Sequence, residues 1–269
     1  MRRFALAALL LLTTLAPARA GAVNCALPSG VPIPQNDLPG WDFIWSINFR
    51  ADFALGAFPG VYGDRLRAYP NNYYDTSKKG QYNPATTMSA SCGSLKIHLS
   101  TINGVPQVAA PVPYIGGDGK WPGQLYGRYA IRARFPAAVP GFKIAWLLWP
   151  DVGTNLPNGE IDFPESNLKS LVSTGGFVHR QGATVGSDQY ATGPIAVDMT
   201  QWHTYVTEWS PGQVRLLLDG VVVGRTIERV PNTKMHWVWQ TETELSSVYP
   251  NPATQGDVLV DWASIWAKA

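Results

Sequence analysis

The sequence lacks the marks of several large functional classes. It has two cysteines and four histidines, the latter scattered rather than set at the spacing of a zinc site. It has no P-loop, no dinucleotide fingerprint and no serine nucleophile elbow, which excludes the nucleotide-dependent and acyl-transfer chemistries those motifs support. Past residue 20 no apolar run is long enough to span a bilayer as a helix. No long stretch keeps a helical period, nothing repeats at a fixed interval, and no Ser/Thr/Pro-rich linker splits off a second module.

Charge is scarce as well, at 15% of residues. Residues 1–20 are expected to be a secretory signal peptide: Arg2 and Arg3, an apolar run from Phe4 to Leu12, and an Ala18-Arg19-Ala20 cleavage site. Its removal near Gly21 takes three basic residues and no acidic one, leaving 18 bases against 19 acids. A near-neutral product offers no electrostatic footprint for nucleic acid and suits an uncharged partner. A secreted or periplasmic monomer with no membrane attachment is expected. In an oxidising compartment two cysteines pair, so Cys25 and Cys92 are expected to form one bridge tying the Gly- and Pro-rich N-terminus to the body, rather than to supply a catalytic thiol.

What is present is a series of short apolar, alternating segments separated by Gly, Pro, Asn and Asp clusters. Trp41 to Phe53, Leu95 to Leu99, Tyr126 to Phe135, Gly176 to Arg180, His203 to Trp209, Gln213 to Leu218, Trp237 to Thr241 and Val258 to Trp266 read as strands. Ile144 to Trp149, IAWLLW, is apolar on both faces and reads as a central strand. Asp219-Gly220 predicts a tight hairpin turn returning through Val221 to Gly224. Arg128, Arg132 and Arg134 share one face of their strand, a row that predicts a solvated surface. About 250 residues of this pattern fit one all-β domain over 21–269, a sandwich of two packed antiparallel sheets in a jelly roll. Two stretches read as long loops able to wall a cleft: Tyr62 to Tyr82, with Tyr69, Tyr73 and Tyr74, and Asn103 to Gln124, with Tyr114 and Trp121 exposed on it.

The segment Gly159-Glu160-Ile161-Asp162-Phe163-Pro164-Glu165 places three carboxylates in an apolar stretch directly after the central strand. In a strand, Glu160 and Asp162 share a face and Glu165 has the wrong parity. One bulge restores it, and Pro164 marks where a bulge belongs. Three carboxylates would then point into one groove, where crowded like charges raise at least one pKa. A carboxyl pair that divides into a nucleophile and a proton donor is the equipment of a retaining glycosidase, which holds the two about 5 to 5.5 Å apart. A bare E-x-D-x-x-E is more often a solvated turn or a metal ligand set; Ile161, Phe163 and the preceding strand argue against a solvated turn here.

GEIDFPE resembles the E-I-D-x-x-E signature of glycoside hydrolase family 16. LYGRYAIRARFP, GFKIAWLLWP, FVHRQG, WHTYVTEWSPGQVRLLLDGVVV and DVLVDWASIWA are similar to its successive strands, in order, from Trp41 to Ala267. The resemblance implies a concanavalin A-like jelly roll and a retaining endo-β-glycanase, with Glu160 as nucleophile, Asp162 as its assistant and Glu165 as acid/base. The extra residue in the signature resembles the branch that includes β-1,3-glucanases and galactan-acting enzymes, which makes β-1,3-glucan the leading polysaccharide substrate. A transglycosylase or galactanase, and a non-catalytic carbohydrate-binding jelly roll, are the alternatives. Sugar stacking is expected from Trp146, as the floor of the cleft, and from Trp149, Trp121, Trp237 and Trp239, with His179 and Gln240 as polar contacts. Catalysis is expected to need no cofactor and no metal. The resemblance allows a structural calcium on the convex face, with Asp261 as candidate ligand.

Overall fold

The computed structural model describes residues 25–269; the expected leader and its cleavage site lie outside them. Two twisted sheets stack face to face. Among the described residues the larger has 11 strands and the smaller 6, and a two-stranded ribbon lies beside them.

The larger sheet runs Val221–Thr226, Gln213–Leu218, His203–Ser210, Gly127–Arg134, Gly256–Lys268 and Ser94–Ile102, then continues into short strands at one end. Trp41–Asn48 also pairs with Gly256–Lys268. The smaller sheet runs Gln189–Ala191, Ser173–His179, Glu160–Asn167, Phe142–Pro150 and Met235–Thr243. Every pair in this order is antiparallel except Gln81–Tyr82 with Val105–Val108. The hairpin at Asp219-Gly220 has positive φ at both residues, 48° and 83°, as its turn chemistry predicts.

Alternation sorts the side chains. Ile144, Trp146, Leu148, Ile161, Phe163, Trp237 and Trp239 of the smaller sheet meet Tyr129, Ile131, Tyr205 and Val260 of the larger in one buried core. Trp146 packs on Tyr205 (ring centroids 6.3 Å apart) and Phe135 (5.9 Å), and Trp237 on Tyr129 (5.4 Å). The other face of the smaller sheet is free to form a site.

The outer face of the larger sheet is covered by the N-terminal segment. Cys25 is bonded to Cys92 across 67 residues of sequence. From there the chain is held down by Trp262 Nε1 donating to the Val31 carbonyl (3.0 Å), Ser264 Oγ to Pro34 (2.7 Å) and Trp266 Nε1 to Asn36 (2.8 Å). Ile33, Trp41 and Phe43 pack on a second apolar cluster of Ala130, Val206, Leu217, Trp262 and Trp266. The arginine row is therefore not the open, solvated face its charge predicts. Arg132 donates to Ser29 Oγ (2.7 Å) and Thr204 Oγ1 (2.9 Å), Arg128 pairs with Glu208, and Arg134 lies over Trp202.

The stretch Asn103 to Gln124 is also more regular than its glycines and prolines suggest. Val105–Val108 and Pro111–Pro113 are strands, the second paired with Leu66–Ala68. Pro106 sits where Val105–Val108 is paired on one side only, opposite Thr101, since the parallel partner Gln81–Tyr82 joins at Gln107, and Pro111–Pro113 has a partner on one side; a missing N–H is tolerated at both.

Candidate active site

The outward face of the smaller sheet is the floor of a cleft of about 860 Å³. On Phe142–Pro150 the cleft-facing residues are Lys143, Ala145, Leu147 and Trp149; on Met235–Thr243 they include His236, Gln240 and Glu242. Cross-strand pairing of Lys143 with Glu242, Ala145 with Gln240 and Trp149 with His236 puts these side chains in adjacent rows.

The acidic strand lies beside them and carries the expected bulge. Ala145 pairs with Glu165 and Leu147 with Asp162, so two steps on one strand face three on the other, and the pairing with Ser173–His179 shifts at the same place. The extra residue falls at Phe163-Pro164: Phe163 enters the core at 2% exposure, and Glu165 returns to the cleft beside Glu160 and Asp162. Gly159, with φ 83°, lets the chain leave the turn before Glu160 in a backbone conformation that a side chain would strain.

Each carboxylate has a different environment. Glu160 is buried, accepts from Asn155 Nδ2 at 2.8 Å and lies 3.8 Å from His179 Nε2. Burial raises its pKa, while the nearby His179 and the Asn155 hydrogen bond oppose the shift. Asp162 is deeper, at 3% exposure. Burial, then the adjacent Glu160 and Glu165, push its pKa well above the ordinary range. A proton on Asp162 can be shared with Glu160, which leaves Glu160 able to act as a carboxylate. His179 has Nδ1 3.1 Å from the Gly186 carbonyl, which only an N–H satisfies, so Nε2 is turned to the two carboxylates at 3.8 Å each. The carboxylate oxygens of Glu160 and Asp162 and a ring nitrogen of His179 all lie within 4.8 Å of one another, close enough for their charges to act on each other.

Glu165 is more open and pairs with Lys143 Nζ at 2.7 Å. Burial works against the Lys143 charge, but Glu165, Glu242 and Asp162 outweigh it and hold the lysine pKa above its usual value.

Aromatic side chains make the walls. Tyr69 packs against Trp121 (5.4 Å), Tyr82 (5.4 Å) and Tyr73 (6.1 Å). The wall is tied to the floor through buried Glu242, which accepts from the Tyr82 hydroxyl (2.6 Å), the Thr76 hydroxyl (2.6 Å) and the Thr76 N–H (2.9 Å). Asp151 fastens another edge, accepting from Gly123 N (2.9 Å) and contacting His236 Nδ1 (3.0 Å).

Of the expected sugar-contacting residues, Trp149, Trp121, His179 and Gln240 line the cleft. Trp146, Trp237 and Trp239 do not: they lie on the opposite face of their strands, at 0%, 4% and 0% exposure, inside the core between the sheets. Tyr114 does not line the cleft either; its ring carries the Arg67 guanidinium at 3.5 Å. Residues not singled out from sequence are Lys143, Asn155, His236, Asp151, Thr76 and Tyr82. For Lys143 a signal was available: a lysine in an otherwise apolar central strand marks the face that cannot be core.

The surroundings of Asp261 do not suit calcium. Its carboxylate accepts from Ser29 N at 3.1 Å, and the guanidinium groups of Arg132 and Arg50 lie close enough to act on its charge. One carboxylate flanked by two cations is not the set of six to eight oxygen donors that calcium takes.

Two packed antiparallel sheets with a carboxylate row in an aromatic-walled groove define a jelly roll built to work in a cleft on its smaller sheet. The chain belongs to glycosyl hydrolases family 16, whose model matches residues 122–264 and so takes in all three carboxylates. A beta-glucanase of Rhodothermus marinus is 28% identical over 134 residues, which are 45% of this chain and 44% of that protein's length. Among solved structures, SCLam, a non-specific endo-β-1,3(4)-glucanase, superposes with a TM-score of 0.69 at 16% identity, over 88% of this chain and 95% of that one. LamA from Z. galactanivorans, in complex with laminaritriose and laminaritetraose, superposes with a TM-score of 0.63 at 19% identity, over 83% and 98%. At such identities the structural likeness concerns the fold.

Proposed function

We propose that the protein is an exported retaining endo-β-glycanase that hydrolyses internal bonds of a β-glycan, with β-1,3-glucan as its substrate. The observation that carries this reading is the bulge at Phe163-Pro164, which brings Glu165 to the same groove as Glu160 and Asp162. A carboxylate held by an amide and a histidine, and a second, more open carboxyl five residues away, divide into nucleophile and acid/base. Asp162 holds a proton against Glu160 and keeps that side chain oriented. Trp149 and Trp121 offer flat apolar faces to sugar C–H surfaces, while Gln240 and His179 meet hydroxyls.

The β-1,3-glucan assignment draws support from the relatives: the names of SCLam and the Rhodothermus protein describe glucanases, and LamA holds laminari-oligosaccharides. Export draws support from the disulfide, a bond that persists outside a reducing cytosol. Among the described residues no helix is long and apolar enough to cross a membrane.

The test is Glu160→Gln assayed for reducing-end release on laminarin, mixed-linkage glucan, agarose and carrageenan. The wild type is expected to act first on laminarin. The variant is expected to lose turnover while keeping its circular dichroism and its affinity for laminari-oligosaccharides. Undiminished activity in that variant would remove Glu160 from the chemistry.

A further inference from the structure

Among the described residues Lys143 is the cleft-lining lysine that stands on the floor strands, and the mechanism above leaves it without a task. It sits cross-strand from Glu242 on one side and Asn167 on the other, with a side chain 8% exposed. Glu242 is already satisfied by Tyr82 and Thr76, so the ammonium is directed to Glu165 Oε1 at 2.7 Å. Among the described residues no other side chain hydrogen-bonds the Glu165 carboxyl. A glutamate has three rotatable bonds, and this one leaves a bulged backbone at 26% side-chain exposure. Its aim in the groove depends on that single partner.

We propose that Lys143 is a positioning residue for the second half of the reaction, holding Glu165 as an oriented carboxylate ready to take a proton from water. The proposal rests on the reading of Glu165 as the acid/base. In the first step a Glu160 oxygen bonds to the anomeric carbon, the bond to the leaving oxygen breaks, and that oxygen takes the proton from Glu165. In the second step water oxygen bonds to the anomeric carbon, its proton passes to Glu165, and the bond to Glu160 breaks, returning the free carboxylate. Lys143 gives up no proton. It orients the ionised Glu165 that exists between the two steps through the 2.7 Å contact.

The experiment uses 2,4-dinitrophenyl β-laminaribioside, whose leaving group departs without a proton, with wild type, Lys143→Met, Lys143→Arg and Glu165→Ala. For Lys143→Met we expect a burst of dinitrophenolate close to the wild-type rate, then a steady state slower on the order of 10- to 100-fold. Azide, which attacks the anomeric carbon without base assistance, is expected to restore turnover of this variant as glycosyl azide. Lys143→Arg is expected to recover most of the lost rate. A burst and steady state that fall together in Lys143→Met, with no response to azide, would overturn the proposal in favour of a purely structural lysine, as would an unchanged steady state. Glu165→Ala separates the two levels. If it shows neither burst nor azide response, the acid/base reading itself fails and the proposal falls with it; if it shows both, the Lys143 result stands on its own.

Discussion

Asp162 gives up most to its position. Its carboxyl is nearly closed to water, and burial and then the neighbouring carboxylates raise its pKa well above the ordinary value. A carboxyl whose folded pKa is raised contributes stability that is complete below the unfolded pKa, about 4, and is lost as pH rises toward the folded one. Burial shifts Glu160 the same way. Asp162→Asn removes the titrating group, so this variant is expected to melt above the wild type near neutral pH, with the difference shrinking to nothing as pH falls toward ~4. Thermal unfolding followed across that range checks it; a difference independent of pH, or a less stable variant at neutral pH, would contradict the shift. Activity is expected to fall in the same variant, since a site built of crowded carboxylates is stable only at the cost of function. The three carboxylates were legible in the sequence because acid threaded through Ile161 and Phe163 has no other use in a buried strand. The lysine that balances them was passed over because it stands one residue before the apolar run Ile144 to Trp149, although its parity already marked the face that cannot be core.

At the scale of the strand, the question is which face points where. Phe142–Pro150 is apolar on both sides, so hydrophobic alternation cannot tell core from cleft, and resemblance to related sequences put Trp146 on the wrong side. Lys143 settles the parity: the cleft takes 143, 145, 147 and 149, and the core takes Trp146. Trp149→Ala and Trp239→Ala should therefore behave differently. Trp149→Ala is expected to raise KM for laminarin with little change in Tm. Trp239→Ala, which empties a fully buried site, is expected to cost about 3 to 5 kcal/mol of stability. Denaturant unfolding and steady-state kinetics on both variants check this; a stability loss at Trp149 equal to that at Trp239 would place both in the core. The bulge was readable from Pro164 and from the odd spacing of Glu160 and Glu165. The short strands Val105–Val108 and Pro111–Pro113 were hidden because their prolines, which otherwise signal a loop, sit at positions paired on one side only.

Across the whole molecule, two layers were foreseeable from short alternating strands and from the absence of any helical period. Their covering was not. Residues 29–36 lie over the outer face of the larger sheet through hydrogen bonds from Trp262, Ser264 and Trp266 to backbone carbonyls, contacts more than two hundred residues apart that no local pattern encodes. The disulfide from Cys25 to Cys92 fastens the start of that segment, a link of a kind that contributes roughly 2 to 4 kcal/mol. With that face sealed and the core closed, the groove on the smaller sheet is where the fold exposes convergent acid, base and aromatic groups. The central claim is that Glu160 and Glu165 cut a β-glycan there by two successive displacements, which preserves the anomeric configuration. Proton NMR of the first products released from laminarin tests it most directly: new reducing ends are expected to appear as the β-anomer before mutarotation, whereas α-anomer at the outset, or no new reducing ends from laminarin or any other β-glycan tried, would contradict it.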